Sequence, residues 1–215
     1  DGTYEQTTAT NALTNAGTAA AQIWIRGYKD TIGDGWLGRS VTGPLVTTNM
    51  PLVTYTSGKF NPGKAYLVVE SLAFSASAMA NTFIIGDTNA TSFVVRGCSI
   101  SCSGTGGSGA EGVRIRAGGS IVDSDVSVTA STALCAIRLY GISTMGCRVT
   151  CTASGGVGIY AEGTNSIVGN TLYNTDVGIR LQNTTQTYGI AYCSSYNCDN
   201  FILVVNGDTS NVPVV

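Results

Sequence analysis

The chain contains no histidine, only 4 prolines among 215 residues, and 11% charged residues with a formal net charge of −2. Without histidine, and without CxxC spacing among its 7 cysteines, it does not match a zinc site. It has no basic tail and no run of like charges, which argues against nucleic acid as a partner. No apolar run approaches the roughly 20 residues of a membrane helix, so we expect no membrane span.

Small residues are abundant instead, with 28 glycines and many Ser, Thr and Asn residues between short apolar segments. Such residues form the corners between strands, where unusual backbone angles are needed. We predict a single domain over 1–215, with irregular N-terminal coils over 1–50 and regular coils over 51–215. The chain begins at Asp1 and no signal peptide is visible, so we expect a processed or recombinant segment.

Two series of short segments with alternating apolar residues repeat through the second half of the chain. Their central residues are spaced 22, 22, 20 and 24 positions apart in the first series and 26, 23 and 23 in the second. Alternation is typical of strands with one buried face, and a period in the twenties indicates a solenoid, here of roughly nine coils. The central residues are Ile115, Ile137, Ile159, Ile179 and Leu203 in the first series, and Ile100, Val126, Val149 and Leu172 in the second.

The segment 167–174, Ile-Val-Gly-Asn-Thr-Leu-Tyr-Asn, followed by Val177-Gly178-Ile179, resembles the parallel β-helix repeats of the pectate-lyase-like superfamily. Leucine-rich repeats have a similar length but require leucines and an asparagine at offsets that are missing here. The resemblance implies an all-β fold, a single-stranded right-handed parallel β-helix with coils of about 20–26 residues. It also implies an inward Asn170 that bonds the backbone of its turn. It carries little information on function, because this fold hosts many activities.

Most of the cysteines are predicted to lie in the core rather than in disulfides. Cys98 and Cys147 fall in one inward column, and Cys102 and Cys151 fall in another, with one rung between the members of each pair. Such partners are roughly 10 Å apart, beyond the Cα separation of about 7 Å that a disulfide tolerates. Cys135 takes the place of valines in the first series and is expected to be a small buried residue.

Cys193 and Cys198 lie close together in a loop-like segment, Tyr-Cys-Ser-Ser-Tyr-Asn-Cys. The sequence leaves open whether these two cysteines are bonded.

The outward positions of the first series place arginine, tyrosine and amide side chains on one flat face. Sugars bind such surfaces, because aromatic rings cover their apolar faces while arginine and amide groups bond hydroxyls or carboxylates. Arginines outnumber the single carboxylate, so an acidic polysaccharide is the predicted ligand. The alternative is an ordinary solvated strand face whose charges neutralise one another. The predicted binding residues are Arg116, Arg138, Tyr140, Tyr160, Glu162, Arg180 and Gln182.

Asp123 and Asp125 are weak candidates for a catalytic carboxyl pair, and Arg116, Arg138 or Arg180 could serve as the base of a lyase, although no acidic calcium cluster is expected beside them. We place them on one strand roughly 7 Å apart, within the spacing that glycosidases use, although an ion pair between Asp125 and Arg148 is the stronger alternative. The resemblance would imply an Asn-Thr-Asp strand, paired aspartates, Gly-His-Gly and Arg-Ile-Lys in a hydrolase. The segment Arg114-Ile115-Arg116 lacks those companions, so a catalytic role is not expected.

Asp30 and Asp34 lie in a Gly- and Asp-rich loop that suggests calcium. The loop lacks the ligand spacing and terminal glutamate of an EF-hand, and a turn that bonds its own backbone explains it better. We therefore predict no cofactor, with calcium as the weak alternative.

The sequence favours a non-catalytic module of an extracellular or virion-surface protein, such as a phage tail spike, with polysaccharide as its partner. Two alternatives stay open: a polysaccharide lyase or glycoside hydrolase, and a purely structural spacer or trimer stalk. Association as a homotrimer, or continuation into other domains of a longer chain, is compatible with each of these.

Overall fold

The computed structural model describes residues 3–6, 17–28, 44–47, 50–56, 59–61, 64–77, 84–85, 92–105, 109–116, 118–163, 165–182 and 187–205. Over these residues the chain forms 19 β-strands and no helix. In this part of the chain nothing has the helical length and apolar composition needed to cross a membrane. Every strand pairing is parallel.

The strands stack in three columns, named first, second and third in the order in which a coil passes through them. The first column is a seven-stranded sheet of β2 (Ile23–Arg26), β4 (Leu67–Glu70), β7 (Phe93–Arg96), β10 (Ser120–Val122), β13 (Ser143–Met145), β16 (Asn165–Val168) and β18 (Tyr188–Ala191). The second contains β1 (Thr3–Gln6), β3 (Leu52–Tyr55), β5 (Ala73–Ala76), β8 (Ser99–Cys102), β11 (Asp125–Val128) and β14 (Arg148–Cys151). The third contains β6 (Ile84–Ile85), β9 (Glu111–Arg116), β12 (Cys135–Tyr140) and β15 (Val157–Glu162). The long strands β17 (Thr171–Leu181) and β19 (Ser194–Val204) run through both the second and third columns.

The coil length is regular in the second half of the chain, as the repeats predict. Positions 121, 144, 167 and 190 pair in succession in the first column, each 23 residues after the last. The fold is therefore an all-β parallel β-helix of about five turns with 23-residue coils, which confirms the predicted fold class. The estimate of roughly nine coils is wrong, because the paired residues Ile25 and Val69 are 44 positions apart and the N-terminal part uses more residues per rung.

A residue with left-handed backbone turns the chain from the first column into the second in each of six successive coils. Glycine holds three of these corners, since it adopts a positive φ without strain from a Cβ atom. The six corner residues are Ser71, Gly97, Asp123, Gly146, Gly169 and Tyr192.

Asn170 follows its corner directly and is fully buried, as predicted. Its Oδ1 accepts hydrogen bonds from the backbone N–H of Cys147 at 2.9 Å and from the Thr144 hydroxyl at 3.2 Å. Two coils earlier in the same column, Ser124 Oγ accepts the backbone N–H of Cys98 at 3.2 Å. Polar side chains at this position therefore satisfy backbone groups of the preceding corner inside the core.

Inward residues of all three columns form one continuous core. Ile137 and Ile159 are stacked neighbours in adjacent rungs, as the repeat predicts. Six further positions predicted to be inward are buried as well. They are Val113, Ile115, Ile179, Val126, Val149 and Leu172.

The predicted alignment of the first series is wrong at both ends. Ile137 pairs with Val113 rather than with Ile115, a shift of two residues. At the other end Ile202 pairs with Ile179, so Leu203 lies opposite Arg180 and is 36% exposed instead of inward. Residues 201–205 are all apolar, and without alternation the pattern does not distinguish the two faces of the strand.

Cys135 is buried as predicted, but its position in the column differs. It pairs with Glu111 and Val157, not with Val113, and it packs with Tyr160 in a small cluster separate from the main core. All seven cysteines are free thiols.

Cys193 and Cys198 are therefore not bonded to each other. They do not lie in a loop, because Cys198 belongs to β19 and Cys193 immediately precedes it. Cys193 stands beside Asn170 and continues the column of Cys98 and Cys147, and Cys198 pairs with Thr175.

Candidate functional site

All seven residues predicted to bind a ligand lie on the outward side of the third column, on what we call the arginine–tyrosine face. The strand register arranges this face in two rows that run along the axis of the solenoid. One row is Arg114, Arg138, Tyr160 and Arg180 in successive rungs. The other row is Arg116, Tyr140 and Glu162, with Gln182 in the next rung, where its backbone N–H donates to Ala161.

The predicted neighbours within the face require one correction. Arg138 stands beside Arg114, and Arg116 stands beside Tyr140, whereas the sequence alignment had placed Arg116 next to Arg138. The face itself is unaffected, because a shift of two residues leaves every side chain on the same side of a strand.

The sequence interpretation missed two members of the face, Glu111 and Arg114. Glu111 is fully buried, and its Oε1 lies 2.6 Å from Arg138 Nη1 while its Oε2 lies 3.1 Å from Arg114 Nε. Gly and Ser dominate the segment 103–112, a composition typical of a loop, whereas β9 begins at Glu111. A spacing of three residues places two side chains on opposite faces of a regular strand, so the sequence contains no signal for the contact between Glu111 and Arg114.

Arg138 is the centre of the face. Its Nη1 donates to Glu111 and its Nη2 donates to Glu162 Oε1 at 2.7 Å. Burial lowers the pKa of Arg138, but the hydrogen bonds to Glu111 and Glu162 outweigh burial and raise that pKa above its usual value. Arg138 is therefore a permanent cation whose two terminal nitrogens are already engaged by carboxylates.

Arginine and tyrosine alternate along the face in a continuous cation–π series. The Cζ of Arg116 lies 4.5 Å from the Tyr140 ring centroid, and that of Arg138 lies 4.9 Å from Tyr140 and 5.0 Å from Tyr160. The Cζ of Arg180 completes the series at 5.1 Å from the Tyr160 centroid. Such contacts hold each guanidinium in place at modest energy, about 0.5–2 kcal/mol each.

The two tyrosines act mainly as supports for the arginines. Burial raises the pKa of both Tyr140 and Tyr160, so both phenols are neutral at physiological pH. The Tyr160 hydroxyl donates to Gln182 Oε1 at 2.6 Å, and the whole residue is only 7% exposed. Little of the Tyr160 ring is left for a sugar, whereas Tyr140 is half-buried, so the guanidinium groups are the stronger candidates for contact.

Arg116 and Arg180 differ from Arg138 in their charge environment. Among the described residues neither forms an ion pair, and their recorded contacts are with tyrosine rings. Across the face, four arginines meet two glutamates, and the excess positive charge falls at Arg116 and Arg180. These two side chains are the groups able to attract an anion.

Asp123 and Asp125 do not project from a common strand, and that placement was wrong. Asp123 occupies a corner with φ 48°, where its backbone N–H donates to Met145 at 2.9 Å. Asp125 begins β11, and its Oδ2 accepts the backbone N–H of Leu45 at 2.8 Å. The register sets Asp125 opposite Arg148, as the alternative interpretation expects.

The calcium candidates Asp30 and Asp34 lie outside the described residues. Within the part of the chain that the structure describes, no three His, Cys, Asp or Glu side chains form a group able to hold a metal ion.

A second charged cluster on the first column was also missed. Glu70, which is largely buried, lies between Arg26 and Arg96, and Arg96 Nε donates to Glu70 Oε1 at 2.7 Å. Trp24 lies against both guanidinium groups, with Cζ-to-centroid distances of 4.6 and 5.6 Å. The sequence signal was the charged residue that ends each of β2, β4 and β7. An arginine pair around a buried glutamate thus occurs twice among the residues that the structure describes.

No protein-family model, curated protein or solved structure matches this chain.

Proposed function

We propose that this chain is a rigid, non-catalytic β-helix module of an extracellular or virion-surface protein, and that its arginine–tyrosine face binds an acidic polysaccharide. The observation that carries the proposal is the pair Arg116 and Arg180, two cations without a carboxylate partner among the described residues on a flat parallel-strand face. Guanidinium groups form bidentate hydrogen bonds with carboxylates, the acidic group of uronic acids.

The repetition of the scaffold supports an extended ligand. Rungs are about 4.8 Å apart, close to the length of one sugar residue, so a chain laid along the axis meets successive rungs. Contacts spread over several rungs are individually weak and add through valence. The rigid parallel stack keeps these contacts in place without ordering loops on binding.

Membership of the pectate-lyase-like superfamily is part of the proposal. It is supported by the left-handed corner and by the buried Asn170 that bonds the preceding corner. A non-catalytic role is supported by the separation of Asp123 and Asp125 between a corner and a strand. We further propose that the module works as part of a larger assembly, either a homotrimer or a longer chain.

The test is the double substitution Arg116→Ala with Arg180→Ala. A glycan array on the parent protein identifies a ligand, and titration calorimetry then compares affinities. We expect the double variant to lose at least about tenfold in affinity, because each guanidinium–carboxylate contact contributes about 1 kcal/mol or more. The melting temperature is expected to change little, as for most exposed substitutions.

The matched control is Arg148→Ala on the second column. Arg148 also lies over a tyrosine, with its Cζ 4.4 Å from the Tyr173 centroid, but it is on a different column from the proposed site. Its removal should leave glycan affinity unchanged. Retained affinity in the double variant, or an equal loss in the control, would reject the arginine–tyrosine face as the site. Release of unsaturated or reducing ends from a bound glycan would reject the non-catalytic assignment.

A further inference from the structure

We infer that the first column carries a second sugar-binding site, centred on Trp24, which takes a single acidic sugar such as a uronic acid residue. The site lies on a different sheet of the solenoid from the arginine–tyrosine face and shares no residue with it. The inference therefore goes beyond the proposed function and does not depend on it. It follows from an exposed indole ring that stands against two arginines.

Trp24 supplies an open aromatic surface that the arginine–tyrosine face offers only in part. It lies on β2 and is 45% exposed, although its ring contacts the guanidinium groups of Arg26 and Arg96. By contrast, Tyr160 in the arginine–tyrosine face is 7% exposed. A ring that fixed neighbours already hold loses little conformational freedom on binding, and it buries apolar area when a sugar stacks on it. Trp24 is therefore a preformed platform for stacking.

The fold itself does not require an indole at this position. Ile23 and Ile25 pack against the core, so Trp24 points outward from the same strand. The outward row that begins with Trp24 continues along the solenoid with much smaller residues. These are Val68, Val94, Ser120, Ser143, Ser166 and Gly189. Because small side chains serve the stacking of the coils at the equivalent positions, a tryptophan here points to recognition.

The charges around Trp24 favour an acidic ligand. Glu70 is largely buried between Arg26 and Arg96, so the cluster carries one excess positive charge. The side chains of Arg26 and Arg96 are 33% and 36% exposed, which leaves both within reach of a ligand. Among the described residues Arg26 donates to Glu70 through Nε, so its two terminal nitrogens can donate to a ligand carboxylate.

The positions of the ring and the cations fit one acidic sugar. The Cζ atoms of Arg26 and Arg96 lie 4.6 and 5.6 Å from the indole centroid. The carboxylate of a uronic acid is attached at the edge of its pyranose ring, so a pyranose stacked on Trp24 brings that carboxylate close to a guanidinium group. A uronic acid gains both contacts, whereas a neutral sugar gains only the stacking. A single platform adds little to the affinity for a long polysaccharide, whose contacts are spread over several rungs.

Tryptophan fluorescence tests the site directly, because the chain contains only two tryptophans, Trp24 and Trp36. The Trp36→Phe variant leaves Trp24 as the only indole. Methyl β-D-glucuronide and methyl β-D-glucoside are the probes, since they differ only at C6 and are too short to span the rungs of the arginine–tyrosine face. We expect the glucuronide to shift the Trp24 emission to shorter wavelength. It should bind at least about tenfold more tightly than the glucoside, because it adds a guanidinium–carboxylate contact.

Saturation-transfer NMR measures the same binding without the fluorophore. Trp24→Ala should reduce the transfer from the protein to methyl glucuronide at least about fivefold, because the stacking surface is lost. The matched control is Tyr192→Ala. Tyr192 is 80% exposed, and within the described part of the chain no guanidinium group lies against its ring. Its removal should leave the transfer unchanged.

Unchanged Trp24 emission at high concentrations of methyl glucuronide, equal affinities for the two glycosides, or undiminished transfer in Trp24→Ala would overturn the inference. Arg116→Ala with Arg180→Ala should leave the shift of the Trp24 emission intact, and loss of that shift would show that the two sites are not separate. Failure of the Trp24 site leaves the polysaccharide test of the arginine–tyrosine face unaffected. Failure of that face leaves the Trp24 measurements equally unaffected.

Discussion

At the scale of single residues, Arg138 determines how the arginine–tyrosine face is built. It connects the fully buried Glu111 to the partly exposed Glu162, and its guanidinium also lies against two tyrosine rings. Removing one partner of a buried ion pair leaves the other charge without compensation, which destabilises far more than loss of an exposed pair. Arg138 is therefore mainly a structural residue, and its neighbours at the ends of the face are the candidates for binding.

This assignment predicts different stabilities for two similar substitutions. Arg138→Ala should lower the free energy of unfolding by about 2–4 kcal/mol, because Glu111 stays buried and keeps fewer cations. Arg180→Ala should lower it by less than about 1 kcal/mol, since only a cation–π contact is lost. Urea denaturation of both variants measures the difference, and equal effects would show that Arg138 carries no structural ion pair. For this reason Arg138→Ala is unsuitable as a test of binding.

At the scale of elements, the corner between the first and second columns is the recurrent structural unit. A left-handed residue makes the turn, and the next inward residue satisfies the backbone of the corner one coil earlier. Ser124 and Asn170 do this with an oxygen acceptor. Cys147, which lies between them in the column, instead directs its thiol at the carbonyl groups of Ile121 and Met145, at 3.6 and 3.5 Å. Polar and thiol side chains thus alternate in one buried column.

Asn170→Leu should lower the free energy of unfolding by about 1–3 kcal/mol, because the backbone N–H of Cys147 and the Thr144 hydroxyl would lose their acceptor inside the core. Asn170→Ser is the control, since serine already performs this role at Ser124. Asn170→Ser should lower the free energy of unfolding by less than Asn170→Leu does. An unchanged denaturation midpoint for the leucine variant would contradict the role assigned to Asn170.

At the scale of the whole molecule, free thiols are spread through the core. Burial raises the pKa of Cys98 and of Cys102 to about 12 and that of Cys151 to about 11, from an ordinary value of 9.0. These thiols remain protonated and unreactive at neutral pH. Because cysteines in the unfolded chain ionise near pH 9 while the folded ones do not, the unfolded state binds fewer protons between pH 9 and about 12.

These thiols should therefore leave the free energy of unfolding unchanged below pH 9 and lower it as the pH rises above 9. The expected decrease is roughly 1 kcal/mol per pH unit for each buried thiol. The variant with Cys102→Val and Cys151→Val should show a shallower decrease. Valine suits both sites, because Val128 already lies between them in the column. If the parent and the double variant show the same dependence of the free energy of unfolding on pH from pH 8 to 11, the buried thiols do not cause the decrease.

The sequence by itself determined the repeat, the columns and the faces of the strands. Alternation of apolar residues reports which side of a strand is buried, and this property is local. It identified Ile137 and Ile159 as stacked core residues, and it placed Arg138 and Arg180 on a common outer face. Small residues between strands marked the corners in the same way.

Only the tertiary structure decided which side chains stand next to one another across rungs. A shift of two residues preserves both burial and face, so the pattern around Ile115 is equally compatible with either neighbour. The burial of Glu111 could not be predicted from the sequence, because a buried carboxylate is stable only beside cations. Its cations are Arg114 in the same strand and Arg138 in the next rung, and the contact with Arg138 forms only when the coils stack. Asp123 became a corner residue for the same reason, since the position of a turn depends on the length of the whole coil.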